Sequence, residues 1–480
     1  MESSNTPLQE PTGQRAWPGW HRLHRWHFYA GLFCLPFIIL LSITGAIYLF
    51  KPQIETQLYR PFNQLVFNQP LPPSAQVNAA LAAVPGGVLN AYVLPETSHA
   101  AAQVLVGKGS QLFRVWVHPE TLAILGQQPE DDRLMRWIFR LHGELLLGDR
   151  GSMLVELAAS WSIVLILTGL LLWWPRQTSG IGGVFYPRLG RGRAVFWRDL
   201  HAVTGLWIAF FVLFLLISGL PWAKSWGGML KSIRQYGTTI AIQQDWTTGR
   251  GDELNERRQM NSPLLSSPRP LDEHASHHGH AFSGNPLQDY RVLDKIVPAI
   301  QPLNLAPPVL ITPPSKRSAA WRARSNTQNR PQRATLTLDA VTGQVLKQQT
   351  FADKPLLDRV IGYGIAAHEG QLFGLPNQLL GLFTAVGLLL VTFSSIVLWL
   401  RRNQPGKSTP GAPPHKTLGA PPYVASRQPL ARGLFLFIGV MAILLPLFGL
   451  SLLVLMLTEK LVLKRIPSAR HFLGLPPVAG

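Results

Sequence analysis

Five runs of the chain are almost wholly apolar, and the rest of the sequence is arranged around them. They cover residues 28–50, 153–174, 202–222, 377–400 and 433–458, and none contains Lys or Arg. Each is close to or above the roughly 20 apolar residues that a bilayer-crossing helix requires. The intervening pattern differs. Residues 74–84 and 291–300 read as short helices, while "VWVHPETLAILG" (115–126) and "LTLDAVTGQVL" (336–346) each read as strand, turn, strand. Residues 245–290 are polar and rich in Pro, Ser and Arg, and read as a mobile loop.

The runs repeat. With His27 aligned on His201, Gly31 falls on Gly205, Thr44 on Ser218 and Gly45 on Gly219. With His142 aligned on His368, Gly148 falls on Gly374, Thr168 on Ser394, Trp173 on Trp399 and Arg176 on Arg402. The expected fold is an integral membrane helical bundle: four core spans as a duplicated helix pair, one extra C-terminal span, and two small α+β outer domains.

Composition and charge supply the topology. The chain has 480 residues, 47% hydrophobic and only 14% charged, where a soluble protein carries roughly a quarter charged residues. Its formal net charge of +19 might suggest nucleic acid, but the distribution points to a bilayer. The connector 175–201 carries five Arg against Asp199 alone, and 401–432 carries six Lys or Arg and no acid. Residues 51–152 hold eight of each sign, and 223–376 hold 18 basic and 12 acidic. By the positive-inside rule the connectors and residues 1–27 are cytoplasmic and the two long segments lie outside, as does the tail 459–480. The first span reads as a retained anchor, since no A-x-A-type site follows it. Cys34 is the only cysteine, which excludes an intrachain disulfide.

The candidate chemistry lies in the repeated histidines. His27 and His201 stand at the inner ends of spans one and three, and His142 and His368 just before the outer ends of spans two and four. From His27 to Gly45 a helix rises roughly 27 Å, close to the hydrocarbon thickness of about 30 Å. Imidazole is a haem ligand, and facing helices supply such ligands. Two matched pairs would hold two non-covalent, bis-histidine haem b groups across the bilayer, since no C-x-x-C-H is present. A lone boundary histidine can instead contact lipid headgroups, a reading that two matched pairs weaken. His24 rivals His27, three residues away on the same helical face, although the Gly31–Gly205 match favours His27. The repeated glycines suit close helix packing or room for a flat cofactor. His274, His277, His278 and His280 lie in the polar loop and read as a solvated tract rather than a metal site. Trp321, Arg322 and Arg324 are weaker candidates for contact with a chelate. No dinucleotide, P-loop, H-E-x-x-H or G-x-S-x-G motif is present. Electrons would therefore come from another protein or a membrane quinol, and no catalytic residue is assigned.

These features together resemble the PepSY-associated transmembrane helix family, and within it the inner-membrane ferric-siderophore reductases of Gram-negative bacteria. The resemblance rests on "LHRWHFYAG…SITG", "LHGELLLGDRG", "DLHAVTG…ISG", "HEGQLFG", the PepSY-like "VHPETLAILG" and "LDAVTGQVL", and "LFGLSLLVLMLTEKLVL". It covers most of residues 20–465 outside the loop 245–290. It implies a haem-containing oxidoreductase whose outer domains receive a ferric siderophore and reduce its iron to Fe(II). The donor would be a membrane quinol or a cytoplasmic reductase, and His27, His201, His142 and His368 the axial ligands. The alternative is a non-enzymatic component that binds siderophore, metal or peptide for uptake or regulation.

Overall fold

The computed structural model of the chain describes residues 20–174, 180–236, 250–261, 290–315, 320–402, 432–473 and 475. The chain opens with helix α1 (Trp20–Leu49), α2 (Lys51–Leu58) and α3 (Pro73–Ala83). Strands β1 (Val88–Val93), β2 (Ala102–Lys108), β3 (Gln111–Val117) and β4 (Ile124–Pro129) follow, then α4 (Leu134–Glu144) and α5 (Asp149–Trp173). Next come α6 (Arg193–Gly219), α7 (Lys224–Tyr236), α8 (Arg250–Asn261) and α9 (Leu293–Ile300). Strands β5 (Val309–Thr312), β6 (Trp321–Ser325), β7 (Ala334–Leu338) and β8 (Val345–Thr350) precede α10 (Leu356–His368) and α11 (Leu375–Arg402). The chain closes with α12 (Arg432–Leu444), α13 (Pro446–Leu461) and α14 (Pro467–Phe472). Two compact units result: residues 1–39, 157–213 and 387–480 form one, and 40–156 with 214–386 the other.

Among the described residues, five helical segments are long and apolar enough to cross a membrane: Leu23–Leu49, Asp149–Trp173, Arg193–Trp222, Leu375–Arg401 and Pro446–Arg465. In such a solvent every backbone group must be satisfied internally, which a helix does. The first four overlap the apolar runs, but the helices outrun the hydropathy. α6 begins at Arg193 and α1 at Trp20, so His201, His24 and His27 lie inside helices rather than at their mouths. The fifth run, expected as one span over 433–458, is broken. Leu445 takes φ −122° and ψ 84° before Pro446, because proline disfavours the helical conformation in the preceding residue and has no N–H to donate. At Gly449 a Cβ would lie 2.6 Å from the Ala442 carbonyl oxygen, so glycine permits the close turn from α12 into α13.

The two long segments expected outside do not form two separate small domains. Their strands join in one antiparallel sheet in the order β4-β3-β2-β1-β5-β6-β7-β8. The seam is a short pairing of β1 with β5, Tyr92 opposite Ile311 and Val93 opposite Leu310. Period-two alternation places Val104, Val106, Val115 and Val117 with Ile311, Ala323, Leu336 and Leu338 in one core, closed by Val77 and Ala80 of α3 and Leu293, Ile296 and Ile300 of α9. The Asp294 carboxylate accepts from the Ser74 backbone N–H at 2.8 Å and its hydroxyl at 2.7 Å, tying the two helices together. One core spanning both halves, worth about 1.5–3 kcal/mol per fully buried large side chain, explains why the halves merge. The predicted strand–turn–strand units are β3–β4 and β7–β8.

Part of the expected mobile loop 245–290 is helical. α8 is fastened to the sheet unit because Asp131 accepts from Arg250 at 2.5 Å and Arg257 at 2.9 Å, and Glu253 accepts from Arg136 and Arg257. The Asn261 amide donates to the Gly109 and Gln111 carbonyls at 3.0 and 3.1 Å. His274, His277, His278 and His280 lie outside the described residues. Glu156, the one acid inside an apolar run, caps a helix. Its carboxylate accepts from the Ser225 and Trp226 backbone N–H groups at 2.9 and 3.1 Å, in the first turn of α7.

Candidate functional site

Each of the four repeated histidines has another as its neighbour. In one unit, the rings of His27 on α1 and His201 on α6 face each other with centroids 6.4 Å apart and planes at 87°. In the other, His142 near the end of α4 and His368 at the end of α10 stand 6.5 Å apart at 82°. All four rings are half-buried. His24 is half-buried one turn before His27; the ring that faces His201 is that of His27.

The hydrogen bonds make the two nitrogens of each ring unequal. His27 Nδ1 lies 3.1 Å from Thr168 Oγ1, and that hydroxyl donates to the Val164 carbonyl at 2.8 Å. His142 Nδ1 lies 2.9 Å from Thr44 Oγ1, which donates to the Leu40 carbonyl at 2.7 Å. His368 Nδ1 lies 3.0 Å from Ser218 Oγ, which donates to the Phe214 carbonyl at 2.7 Å. A hydroxyl whose proton is committed can only accept from the ring. His201 Nδ1 meets the Val391 carbonyl at 3.1 Å, with Ser394 Oγ at 3.4 Å, and a carbonyl has no proton to give. The network thus assigns the ring proton to Nδ1 in all four histidines. Nε2 is left bare, the form in which imidazole binds a metal.

Glycines seat three of the rings. A Cβ at Gly169 would lie 3.0 Å from His27 Cε1, one at Gly45 would lie 3.2 Å from His142 Cε1, and one at Gly219 would lie 3.3 Å from His368 Cε1. By contrast, Gly205 has open space where its Cβ would be, and Gly31 an ordinary contact with Leu165. Neither is required for packing, and the helix face at Gly205, one turn beyond His201, is clear.

The residues fit a bis-histidine metal site. A ring nitrogen lies about 1 Å from the ring centre and a metal–imidazole bond is about 2 Å, so one metal between two facing rings needs centres roughly 6 Å apart. The observed separations match. Among the described residues no three His, Cys, Asp or Glu side chains come together as a metal cluster. A group that brings its remaining ligands with it, as haem does, fits a pair of imidazoles. Burial lowers His142 to about 4, and burial with the neighbouring His142 lowers His368 to about 4. Both are neutral at neutral pH, as a ligand must be.

Around the His142–His368 pair, the Trp222 ring meets His368 edge-on at 6.0 Å, and the Arg330 guanidinium lies 5.6 Å over Trp222. Neither was legible as a site residue. The four hydroxyl residues were visible as repeat matches, and that preservation was the signal for their role. Trp321 is 2% exposed in the sheet core and is not free to meet a chelate. Arg322 and Arg324 alternate with it on the other face of β6, where Arg324 donates to Asn326 at 3.3 Å.

Comparison with curated proteins finds no significant match. Over residues 24–402 the chain matches the family model described as PepSY-associated TM region, and this multi-pass membrane protein belongs to that family.

Proposed function

We propose that this chain is an inner-membrane, haem-containing reductase that carries electrons across the bilayer to ferric iron in a siderophore on the periplasmic side, releasing Fe(II). The observation that carries the reading is the repeated histidine pair: two imidazoles at one-metal separation, each held through Nδ1 and bare at Nε2, built twice. Two non-covalent haem b groups suit this arrangement, and bound there they would supply reversible one-electron chemistry.

The protein's own task is to hold and to shield. Thr168, Thr44, Ser218 and the Val391 carbonyl fix the ring planes and keep protons off Nε2. Gly169, Gly45 and Gly219 let the rings lie against a neighbouring helix. The apolar runs of α1 and α6 beyond His27 and His201 hold no Lys or Arg and so limit the access of water to that pair. We read the chain as one unit written twice, with α1, α3, β1–β4, α4 and α5 answered by α6, α9, β5–β8, α10 and α11. Each pair then takes one histidine from each half. The N-terminus and the basic connectors are cytoplasmic and the sheet periplasmic, and the donor is a membrane quinol or a cytoplasmic reductase.

A reduced-minus-oxidised absorption spectrum of the purified protein tests this, with haem quantified. The expected result is a b-type spectrum with about two haems per chain, and loss of about one each in His27→Ala and His142→Ala. A featureless spectrum from haem-replete cells would leave a non-enzymatic component that binds siderophore, metal or peptide.

A further inference from the structure

Residues 180–192, leading into α6, form a built object rather than a slack link. Its Val184 carbonyl accepts from the Trp173 indole N–H at 3.2 Å, and its Phe185 carbonyl from the Trp207 indole at 3.0 Å. A tight turn at Gly183, φ +80°, brings Gly182 into a bridge with Tyr186. Arg188 then reaches Asp199 with three donors: its backbone N–H at 3.1 Å, Nε at 2.7 Å and Nη2 at 2.9 Å. Asp199 is 1% exposed and also accepts from Arg198. The one acid of the connector is thereby consumed.

The pinned hairpin displays both large apolar and basic side chains. Ile181 is 62% exposed and Leu189 77%, with Phe185 and Tyr186 about half exposed. Arg191 and Arg193 are exposed beside them and, among the described residues, form no ion pair. Large apolar side chains interleaved with uncommitted guanidinium groups match a headgroup layer, where acyl chains meet phosphates.

We infer that residues 181–193 form a seat for anionic phospholipid: Ile181, Phe185 and Leu189 enter the acyl boundary while Arg191 and Arg193 take the phosphate. Arginine suits this role because its planar fork pairs with phosphate oxygens bidentately. Trp173, Trp207 and the Arg188–Asp199 pair hold the seat in place, so little ordering cost attends binding. The site is independent of any cofactor on the histidines.

The test uses the full-length protein in nanodiscs of phosphatidylcholine alone or with phosphatidylglycerol. Native mass spectrometry counts retained lipid, and thermal unfolding reads its stabilising effect. Phosphatidylglycerol is expected to be retained and to raise the midpoint, with affinity falling about fivefold for each arginine removed in R191Q and R193Q. R191K with R193K restores most of it, and L189E weakens both lipids. Equal behaviour in the two lipids, or an R191Q/R193Q protein that responds to phosphatidylglycerol as the parent does, overturns the inference. So does a lipid-indifferent surface that instead retains an acidic soluble protein. Should L189E fail to fold, the arginine variants, which lie on the exposed side, still decide the matter.

Discussion

Thr168 and its three counterparts do the least visible work in the histidine pairs. Each hydroxyl or carbonyl fixes a ring's tautomer and plane from one side, so that the other side is available to a ligand. Thr168→Val keeps the volume and deletes the acceptor; Thr168→Ser keeps the acceptor. With haem on His27 as proposed, the valine variant is expected to hold it about 10–100-fold less tightly, and the serine variant close to the parent. Haem transfer to apomyoglobin measures this, and equal transfer from both variants would refute a ring-orienting role. The histidine pairs were legible in the sequence because spacing alone carried them: the same offsets recur from His27 and from His201. The direction of a hydroxyl proton was not, since it depends on which carbonyl lies one helical turn back. Nor was the seat at Gly169, because the position matching it in the second half is Ser395 and no glycine repeats there.

At the scale of elements, hydropathy located the bilayer stretches but not the helices. α6 starts well before its apolar run because Asp199 and the flanking arginines satisfy one another at its polar end. α13 starts late because Pro446 resets the helix. The acid Glu156 illustrates what periodicity cannot show. Read along the chain it is a charge in a span, whereas in the fold it terminates a different helix. Glu156→Leu leaves the Ser225 and Trp226 N–H groups without acceptors, and is expected to cost about 1–3 kcal/mol. A thermal unfolding midpoint unchanged from the parent would show that the cap contributes nothing. The seam between β1 and β5 was likewise illegible, since the strand–turn–strand units read in each half are β3–β4 and β7–β8, and β1 and β5 lie outside them.

For the molecule as a whole, the sheet unit carries a pH dependence of definite sign. Burial alone would raise the Glu130 carboxyl, but Arg114 and Arg133 overcome it and bring it to about 2. Arg250 and Arg257 likewise hold Asp131 far below the usual range against its burial. In the unfolded chain such carboxyls titrate near 4, so on acidification the unfolded form takes up protons first. The stability these pairs contribute is whole above about pH 4 and disappears between there and about pH 2. The unfolding midpoint is expected to decline gently below about pH 6.5, as unfolded histidines take up protons that buried His142 and His368 refuse, and to fall steeply below about 4. The fall should be shallower in an R250Q/R257Q variant, and an equal fall in both proteins would show that the α8 clasp plays no part. The same sheet imposes a timetable on synthesis. Tyr92 and Ile311 meet at the seam although more than two hundred positions separate them. At roughly 5–20 residues per second, β1 waits roughly ten to forty seconds for its partner strand, with an unpaired hydrogen-bonding edge open to other chains. A nascent protein arrested before β5 is therefore expected to keep that edge open, and stalled or truncated chains to aggregate more readily than full-length ones.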